Sequence, residues 1–448
     1  MSIPENISTE NVFEEIYGNK SSYILSFKER KKVEIYSKDL RKKSIKNILN
    51  KFFDVLKTIF LPEGFPESVS KDYISYQIWD TLQAFSSTIT GTLSTHAILA
   101  GVGVGNEAAT PLSATITWIL KDGTGHIGRI IFAWWKGSDL DVNSKRWRLI
   151  ADILNDLALG IEVLLLPLYH TWSTEILCLT TAIKSVVGVA GGATRVALTQ
   201  HHASRGNLAD VTAKDGSQET FVNLCASMLA VLILMTISSK IMILFWFILF
   251  TMLHLYANYK AVKTISLKVL NTSRFLSVCL TYMNTENILA VEDANANEPV
   301  LFPSIKDYHV CGHKIEIGKS IRNVIQDDDL QNLKQVLSVY KNKEYFIYAT
   351  DNVIYIGLTK THLSVNVLEA YFHALVVGVM MLNNKSQENN KILVQNLLAT
   401  CGIDVRLSYK DIFDQSCVAW NKLKTALENK GWTTEQHLLS VGEYRVKW

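Results

Sequence analysis

Residues 241–250 read IMILFWFILF, ten apolar side chains in succession. A helix that is apolar on every face has no side to turn toward water, so this run belongs inside a core or a bilayer. It lies within 241–259, nineteen residues without Asp, Glu, Lys or Arg; 221–239 is a second such run, separated from the first only by Lys240. At 1.5 Å of rise per residue, about 20 apolar residues cross the hydrocarbon layer. The same character extends back toward the N-terminus. Residues 81–106 carry no charge, 108–120 are apolar, and IIFAWW follows KDGTGHIGR at 121–129. The stretch 149–174 is interrupted only by Asp152, Asp156 and Glu162, and 176–194 only by Lys184. The pattern predicts about six apolar helices between 72 and about 265, read as membrane spans around a polar interior rather than as buried helices of a soluble bundle.

The rest of the chain differs in composition. Of 448 residues, 48% are apolar and 19% charged, with 45 Lys+Arg against 42 Asp+Glu, a net charge of +3 and a mean hydropathy of +0.13. Only 24 charged residues fall among the 185 of 81–265, against 63 in the other 263. One half suits an apolar surrounding and the other suits water. Disorder, a collagen-like chain and a coiled-coil rod are excluded, and so small a net charge does not argue for nucleic-acid binding. Six scattered Cys without a C-x-x-C argue against a disulfide framework or a zinc ribbon. Glu5, Glu10, Glu14 and Glu15 without an apolar run argue against a signal or transit peptide.

Residues 1–50, with KERKK at 28–32 and RKK at 41–43, read as a polar tail and a basic helix. FFDVLKTIFLPEGFP (52–66) reads as a short amphipathic helix stopped by Pro62, Gly64 and Pro66, lying on a membrane surface or packed on the protein itself. A helical membrane domain covers 51–270, with a mixed-charge connection at 195–220 and a polar connector at 271–300. An α+β domain fills 301–448: a strand at 314–318, a helix at 327–340, a hairpin in YFIYATDNVIYIGL (345–358), a core helix at 363–382 marked by Glu369, a helix at 392–400 and a final strand at 444–448. The expected fold is therefore mainly α, a polytopic helical membrane bundle followed by a small soluble α+β domain. An even number of spans, with basic clusters before the first and at Lys260, Lys263 and Lys268 after the last, places both termini in the cytosol.

The densest polar block within the apolar half is DYISYQIWDTLQ (72–83). On a helix, Asp72, Tyr76, Trp79 and Gln83 share one face, and Tyr73, Gln77 and Asp80 a neighbouring one. Acids and amides in an apolar helix are costly unless partnered, which points to a ligand or ion site or to the interfacial end of a span. A second block, WILKDGTGHIGR (118–129), offers Lys121, Asp122, Gly123, Gly125, Gly128 and Arg129. Its glycines permit a tight turn or the close approach of a partner; it is not a P-loop, and no strand precedes it to make a dinucleotide fingerprint. GVGVG (101–105) and AGGATRV (190–196) allow either close helix packing or an unwound span. Arg195 inside a span is a functional candidate, with Asp152, Asp156 or Glu162 as partners. His309, Cys311 and His313 would share one face of a strand, but with no fourth ligand they read as incidental, as do His201 and His202. No catalytic set, metal site or cofactor site emerges.

LPEGFPESVSKDYISYQIWDTLQ (61–83), GVGVGNEAATPLSATITWILKDGTGHIG (101–128), LIADILNDLALGIEVLLLPLYH (149–170) and GGATRVALTQHHA (191–203) resemble the root-UVB-sensitive family, and VNVLEAYFHALVVG (365–378) resembles its C-terminal region. The matching string includes Pro62, Gly64, Pro66, Asp72, Tyr73, Tyr76, Gln77, Asp80, Gln83, Lys121, Asp122, Gly123, Gly125 and Gly128. The departures are His96, where the family pattern has Gln, and the N-terminal tail. The resemblance implies a eukaryotic endomembrane protein linked to vitamin B6 homeostasis, with the lipid bilayer and another family member or itself as partners and no established catalytic residues. Handling of a small polar metabolite is the expected function; a membrane scaffold whose C-terminal domain docks a protein is the alternative.

Overall fold

The computed structural model describes residues 12–17, 20–28, 32–36, 45–101, 111–237, 239–301, 309–310, 313–323, 330–385, 397–404 and 408–448. In chain order its elements are β1 (Val12–Tyr17), β2 (Lys20–Lys28), β3 (Lys32–Tyr36), α1 (Ile45–Phe60), α2 (Tyr73–Gly101), α3 (Pro111–Val142), α4 (Ser144–Leu165), α5 (Ser173–His202), α6 (Leu208–Thr236) and α7 (Lys240–Thr264). Then come β4 (Val269–Asn271), α8 (Thr272–Thr285), α9 (Val291–Asn297), β5 (His309–Val310), β6 (His313–Ile317), α10 (Leu330–Val339), β7 (Tyr345–Ala349), β8 (Val353–Leu358), α11 (Ser364–Lys385), α12 (Tyr409–Asn429) and β9 (Thr433–Leu438). The chain divides into two compact units, Met1–Leu93 with Val196–His254, and Ser94–Arg195 with Leu255–Trp448.

In the first unit, β1, β2 and β3 form an antiparallel meander where a tail and a basic helix were expected. Runs such as YILSF and KVEIY carry the β-branched and aromatic residues that suit strands, and the neighbouring lysines obscured them. α1 ends as expected at Leu61-Pro62. Its C-terminal end docks on α6, where Lys214 Nζ donates to Thr58 O at 2.5 Å, Gln218 Nε2 donates to Phe60 O at 2.5 Å, and the Phe60 and Phe221 rings lie 5.5 Å apart. Phe52, Phe53, Val55 and Ile59 on the same helix remain exposed. α6 begins at Leu208, so the supposed 195–220 connection is largely the polar first half of a 29-residue helix.

The second unit holds α3, α4 and most of α5. α3 runs unbroken for 32 residues through all three glycines of the KDGTGHIGR block, so no tight turn forms there. A Cβ on Gly128 would overlap the Ser185 side chain of α5, so the absent side chain sets the α3–α5 spacing. α5 is likewise a continuous helix through AGGATRV, which removes the unwound-span reading of that motif. GVGVG lies, beyond Gly101, outside the described residues.

Among the described residues, four helices are long and apolar enough to cross a membrane: Ser173–His202, Leu208–Thr236, Lys240–Thr264 and Ser364–Leu382. Three of them lie between 72 and 265, where about six were expected, and the fourth is the helix read from sequence as a core helix. α3 and α4 fall short because they carry charges at Lys121, Asp122, Arg129, Lys136, Asp139 and Asp141, and at Lys145, Arg146, Arg148, Asp152, Asp156 and Glu162.

The C-terminal part of this unit is an α+β core. Its sheet has the order β5-β6-β8-β7, with β6 and β8 parallel and the other pairs antiparallel. α11 packs through Leu368, Phe372, Leu375 and Val379, all buried, as the core-helix reading expects. The stretch 271–300 is not a connector: α8 places Phe275, Val278, Cys279 and Tyr282, a helical i, i+3, i+4, i+7 set, in the same core. The last strand is β9, which pairs in parallel with β4; residues 444–448 form no strand, although Tyr444 N and Val446 N donate to Gly318 O and Leu358 O. His309 and His313 fall on two different strands, which undoes the single-face metal pattern, and Cys311 lies outside the described residues. So do 324–329 and 392–396, where the acidic first turn of the helix expected at 327–340 and most of the helix expected at 392–400 fall.

Candidate functional site

The polar stripe of α2 finds partners in its own unit. The chain leaves α1 through Leu61-Pro62 and turns at Gly64, whose φ of +74° favours glycine. Residues 68–70 then run antiparallel to the end of α5: Val69 bridges Ala203, Ser204 N donates to Ser68 O, and Ser70 N donates to His202 O. This pairing delivers Asp72 to the two adjacent histidines. His201 Nε2 lies 2.9 Å from one Asp72 oxygen, and His202 Nδ1 lies 3.7 Å from the other. Ser70 Oγ is 2.6 Å from His202 Nδ1 and donates to Asp72.

His202 Nε2 is buried without a hydrogen-bond partner. A buried lone pair is cheaper to leave unmatched than a buried N–H, so the ring proton belongs on Nδ1, facing Ser70. The result is a relay from His202 through Ser70 to the Asp72 carboxylate, which also accepts from His201. Tyr73 and Tyr76 enclose the His202 ring at centroid distances of 5.5 and 4.9 Å.

Further along α2, Gln77 Nε2 donates to Asp215 Oδ1 at 3.1 Å and to Tyr73 Oη at 3.2 Å. Tyr76 Oη donates to Asp80 at 3.1 Å, Gln83 Nε2 and His254 Nε2 are 2.8 Å apart, and Thr88 donates to Asn223 at 2.7 Å. Asp72, Tyr76, Gln77, Asp80 and Gln83 thus line one stripe, met by α5, α6 and α7. The sequence reading set His201 and His202 aside as incidental and did not single out Ser70, Asp215 or His254. The available signal was VTAKDGSQET (211–220), polar letters at helical spacing directly before an apolar run.

The remaining candidates belong to the other unit. Lys121 pairs with its exposed neighbour Asp122 at 3.2 Å and lies over the Trp118 ring. Gly123 has open space around it, and a Cβ on Gly125 would meet Thr181 at 3.0 Å. Arg129 is exposed on α3 and Arg195 is half-buried on α5. On α4, buried Glu162 accepts from Lys184 at 2.6 Å and from Ser94 Oγ at 2.5 Å, and Asp152 accepts from Asn258 at 2.6 Å.

Among the described residues, two groups hold donor atoms close enough for a metal ion, each set within 4.8 Å: Asp72 with His201 and His202, and Glu369 with His373 and Cys417. At the first, a metal would displace the proton on His202 Nδ1 and the Ser70 relay. At the second, the Lys343 ammonium already bonds Glu369 at 2.5 Å.

Comparison with known proteins bears on residues 46–448. Residues 46–286 match the family model described as the vitamin B6 photo-protection and homoeostasis domain, and 287–448 match the C-terminal domain of root UVB sensitive protein. RUS family member 1 of Dictyostelium discoideum is 47% identical over 278 residues, 61% of this chain and 51% of that protein. Protein root UVB sensitive 3 of Arabidopsis thaliana is 37% identical over 356 residues, 77% of this chain and 80% of that protein. Protein root UVB sensitive 2, chloroplastic, from the same plant, is 31% identical over 297 residues, covering 66% of this chain and 65% of its own length. No solved structure matches the chain.

Proposed function

Because this chain belongs to the root-UVB-sensitive family, we propose that it is an integral endomembrane protein, both termini cytosolic, that binds a small polar metabolite of vitamin B6 homeostasis and passes it across the bilayer without chemical change. The observation that carries this reading is the α2 stripe. Asp72, Gln77 and Gln83 meet His201 with His202, Asp215 and His254, in helices whose outer faces are apolar. Polar groups gathered inside an apolar helical body are rare, pair with one another and mark pathways for solutes or ions. Trp134, Trp135, Met235, Ile241 and Met252 are at least 66% exposed, which suits contact with lipid tails. In this reading the apolar segment of α4 starts at Leu149, and Lys145, Arg146 and Arg148 lie at the cytosolic boundary.

The test is binding and uptake of pyridoxal, pyridoxine and pyridoxal phosphate by the full chain reconstituted in liposomes. Wild type should move at least one vitamer, and Asp72→Asn and Gln77→Leu should each lower uptake about tenfold, the effect of roughly 1.4 kcal/mol. Wild-type protein that inserts yet neither binds nor moves any vitamer would end the proposal.

A further inference from the structure

α1 carries an exposed apolar face that the α2 stripe does not use. Its sequence, IKNILNKFFDVLKTIF, sets apolar residues at 45, 48, 49, 52, 53, 56, 59 and 60, the spacing of one helix face. Its charged residues, Lys46, Lys51, Asp54 and Lys57, all fall outside that series. Phe52, Phe53, Val55 and Ile59 are between 45% and 56% exposed, a contiguous apolar surface rather than scattered side chains.

The helix is held by its end. Lys214 and Gln218 of α6 donate to the carbonyls of Thr58 and Phe60, and the Phe60 ring meets Phe221. That attachment fixes the level of α1. Phe221 opens the charge-free run 221–239, and Gln218 lies three residues before it, about 4.5 Å along the axis. α1 is therefore attached where the polar half of α6 gives way to its apolar half. In a bilayer this level is the headgroup boundary.

The side of the membrane follows from chain order. With the C-terminus in the cytosol, α7 runs toward that side, and α6, the span before it, starts there. α1 thus meets the cytosolic leaflet, the one rich in anionic lipid. Its charge suits that surface. Lys46, Lys51 and Lys57 outnumber Asp54, and Arg41, Lys42 and Lys43 directly precede the helix in sequence. The exposed contact between Lys57 and Asp54, at 3.9 Å, neutralises little of this charge.

We infer that α1 is an interfacial helix whose partner is an anionic phospholipid surface. Phe52, Phe53, Val55 and Ile59 enter the acyl boundary, and the lysines meet lipid phosphates and carboxylates. A second copy of the chain fits this face less well, because it would bring two basic helices together. The inference rests on the membrane placement proposed above and is independent of any transported solute.

The experiment is hydrogen exchange of the full chain, read by mass spectrometry. It compares nanodiscs of phosphatidylcholine alone with nanodiscs containing phosphatidylserine. Amides of 45–60 should exchange about tenfold more slowly with phosphatidylserine, while 221–239 should be equally protected in both. Phe53→Asp, at an exposed residue away from the contact with α6, should remove the difference. Lys51→Glu combined with Lys57→Glu should remove it as well, with the apolar face intact. Equal exchange of 45–60 in the two discs, with 221–239 protected, overturns the inference and leaves the membrane placement standing. Slowing that appears only when two chains share a disc assigns the face to a second copy and also overturns it. Fast exchange of 221–239 in both discs contradicts the membrane placement instead. Flotation of the full chain on phosphatidylserine vesicles then decides for α1 alone: flotation lost in Phe53→Asp supports the lipid surface, and no flotation overturns it.

Discussion

α7 and α11 are both long and apolar enough to cross a membrane, and the fold treats them in opposite ways. Over its most apolar window α11 is 67% buried, whereas α7 is 28% buried and α6 only 17%. α11 lies against a sheet, with Phe372, Leu375 and Val379 in the core, and its polar residues are partnered there: Glu369 by Lys343 and His373 by Tyr345. α7 offers Ile241, Phe245 and Met252 outward. Apolar composition states only that a helix avoids water. Whether protein or lipid covers it depends on whether the chain supplies a sheet to pack against, and on whether the helix's own polar residues have somewhere to point.

That contrast can be broken by substitution. The largest effect is expected at Leu375→Asp, which puts a carboxylate at a fully buried position; a loss of about 4 kcal/mol or more should unfold the C-terminal core. Limited proteolysis should then remove 287–448 quickly from the variant and slowly from wild type. Next comes Glu162→Ala, which strands the Lys184 ammonium beside α4 at an expected cost of about 3–5 kcal/mol, read from the unfolding temperature in detergent. Met252→Lys carries the sharpest contrast. On a lipid-facing α7 it costs about 2.5–3.5 kcal/mol of insertion and lowers the membrane-inserted fraction; on a water-facing helix it changes nothing.

A smaller effect separates the two helices by pH. His373 of α11 is fully buried, and burial lowers its imidazole to about 3, with the Lys343 charge acting in the same direction. The ring is neutral in the fold, and the unfolded chain takes up a proton from about pH 6.5. The folded state therefore keeps its full stability above that pH and loses it progressively as pH falls toward 3, by about 2 kcal/mol between pH 7 and pH 5. Denaturant unfolding at the two pH values should show this loss in wild type and not in His373→Gln.

The two apolar runs around Lys240 were legible because they lack charge altogether, and the hairpin was legible from its β-branched and aromatic runs on either side of Thr350. α8 was not: NTSRFLSVCLTYMNT looks polar by composition, although Phe275, Val278, Cys279 and Tyr282 keep helical spacing. The first half of α6 was lost in the same way, since Asp210, Lys214, Asp215 and Glu219 resemble a loop until Val211 and Asp215 are seen to be buried. At the candidate site, the α2 half was visible as misplaced polarity. The α5 half was not, because Asp72 and His201 meet only through the pairing of Val69 with Ala203, a contact across more than a hundred residues.

The central claim is that the exposed apolar faces of α5, α6 and α7 lie in lipid. Alkaline carbonate extraction of membranes carrying the full chain, tagged at both ends and followed by protease protection, tests it most directly. The account predicts that the protein stays in the pellet and that both tags are digested from the cytosolic side. Release into the supernatant would contradict it and would return the α2 stripe to the interior of a soluble helical protein.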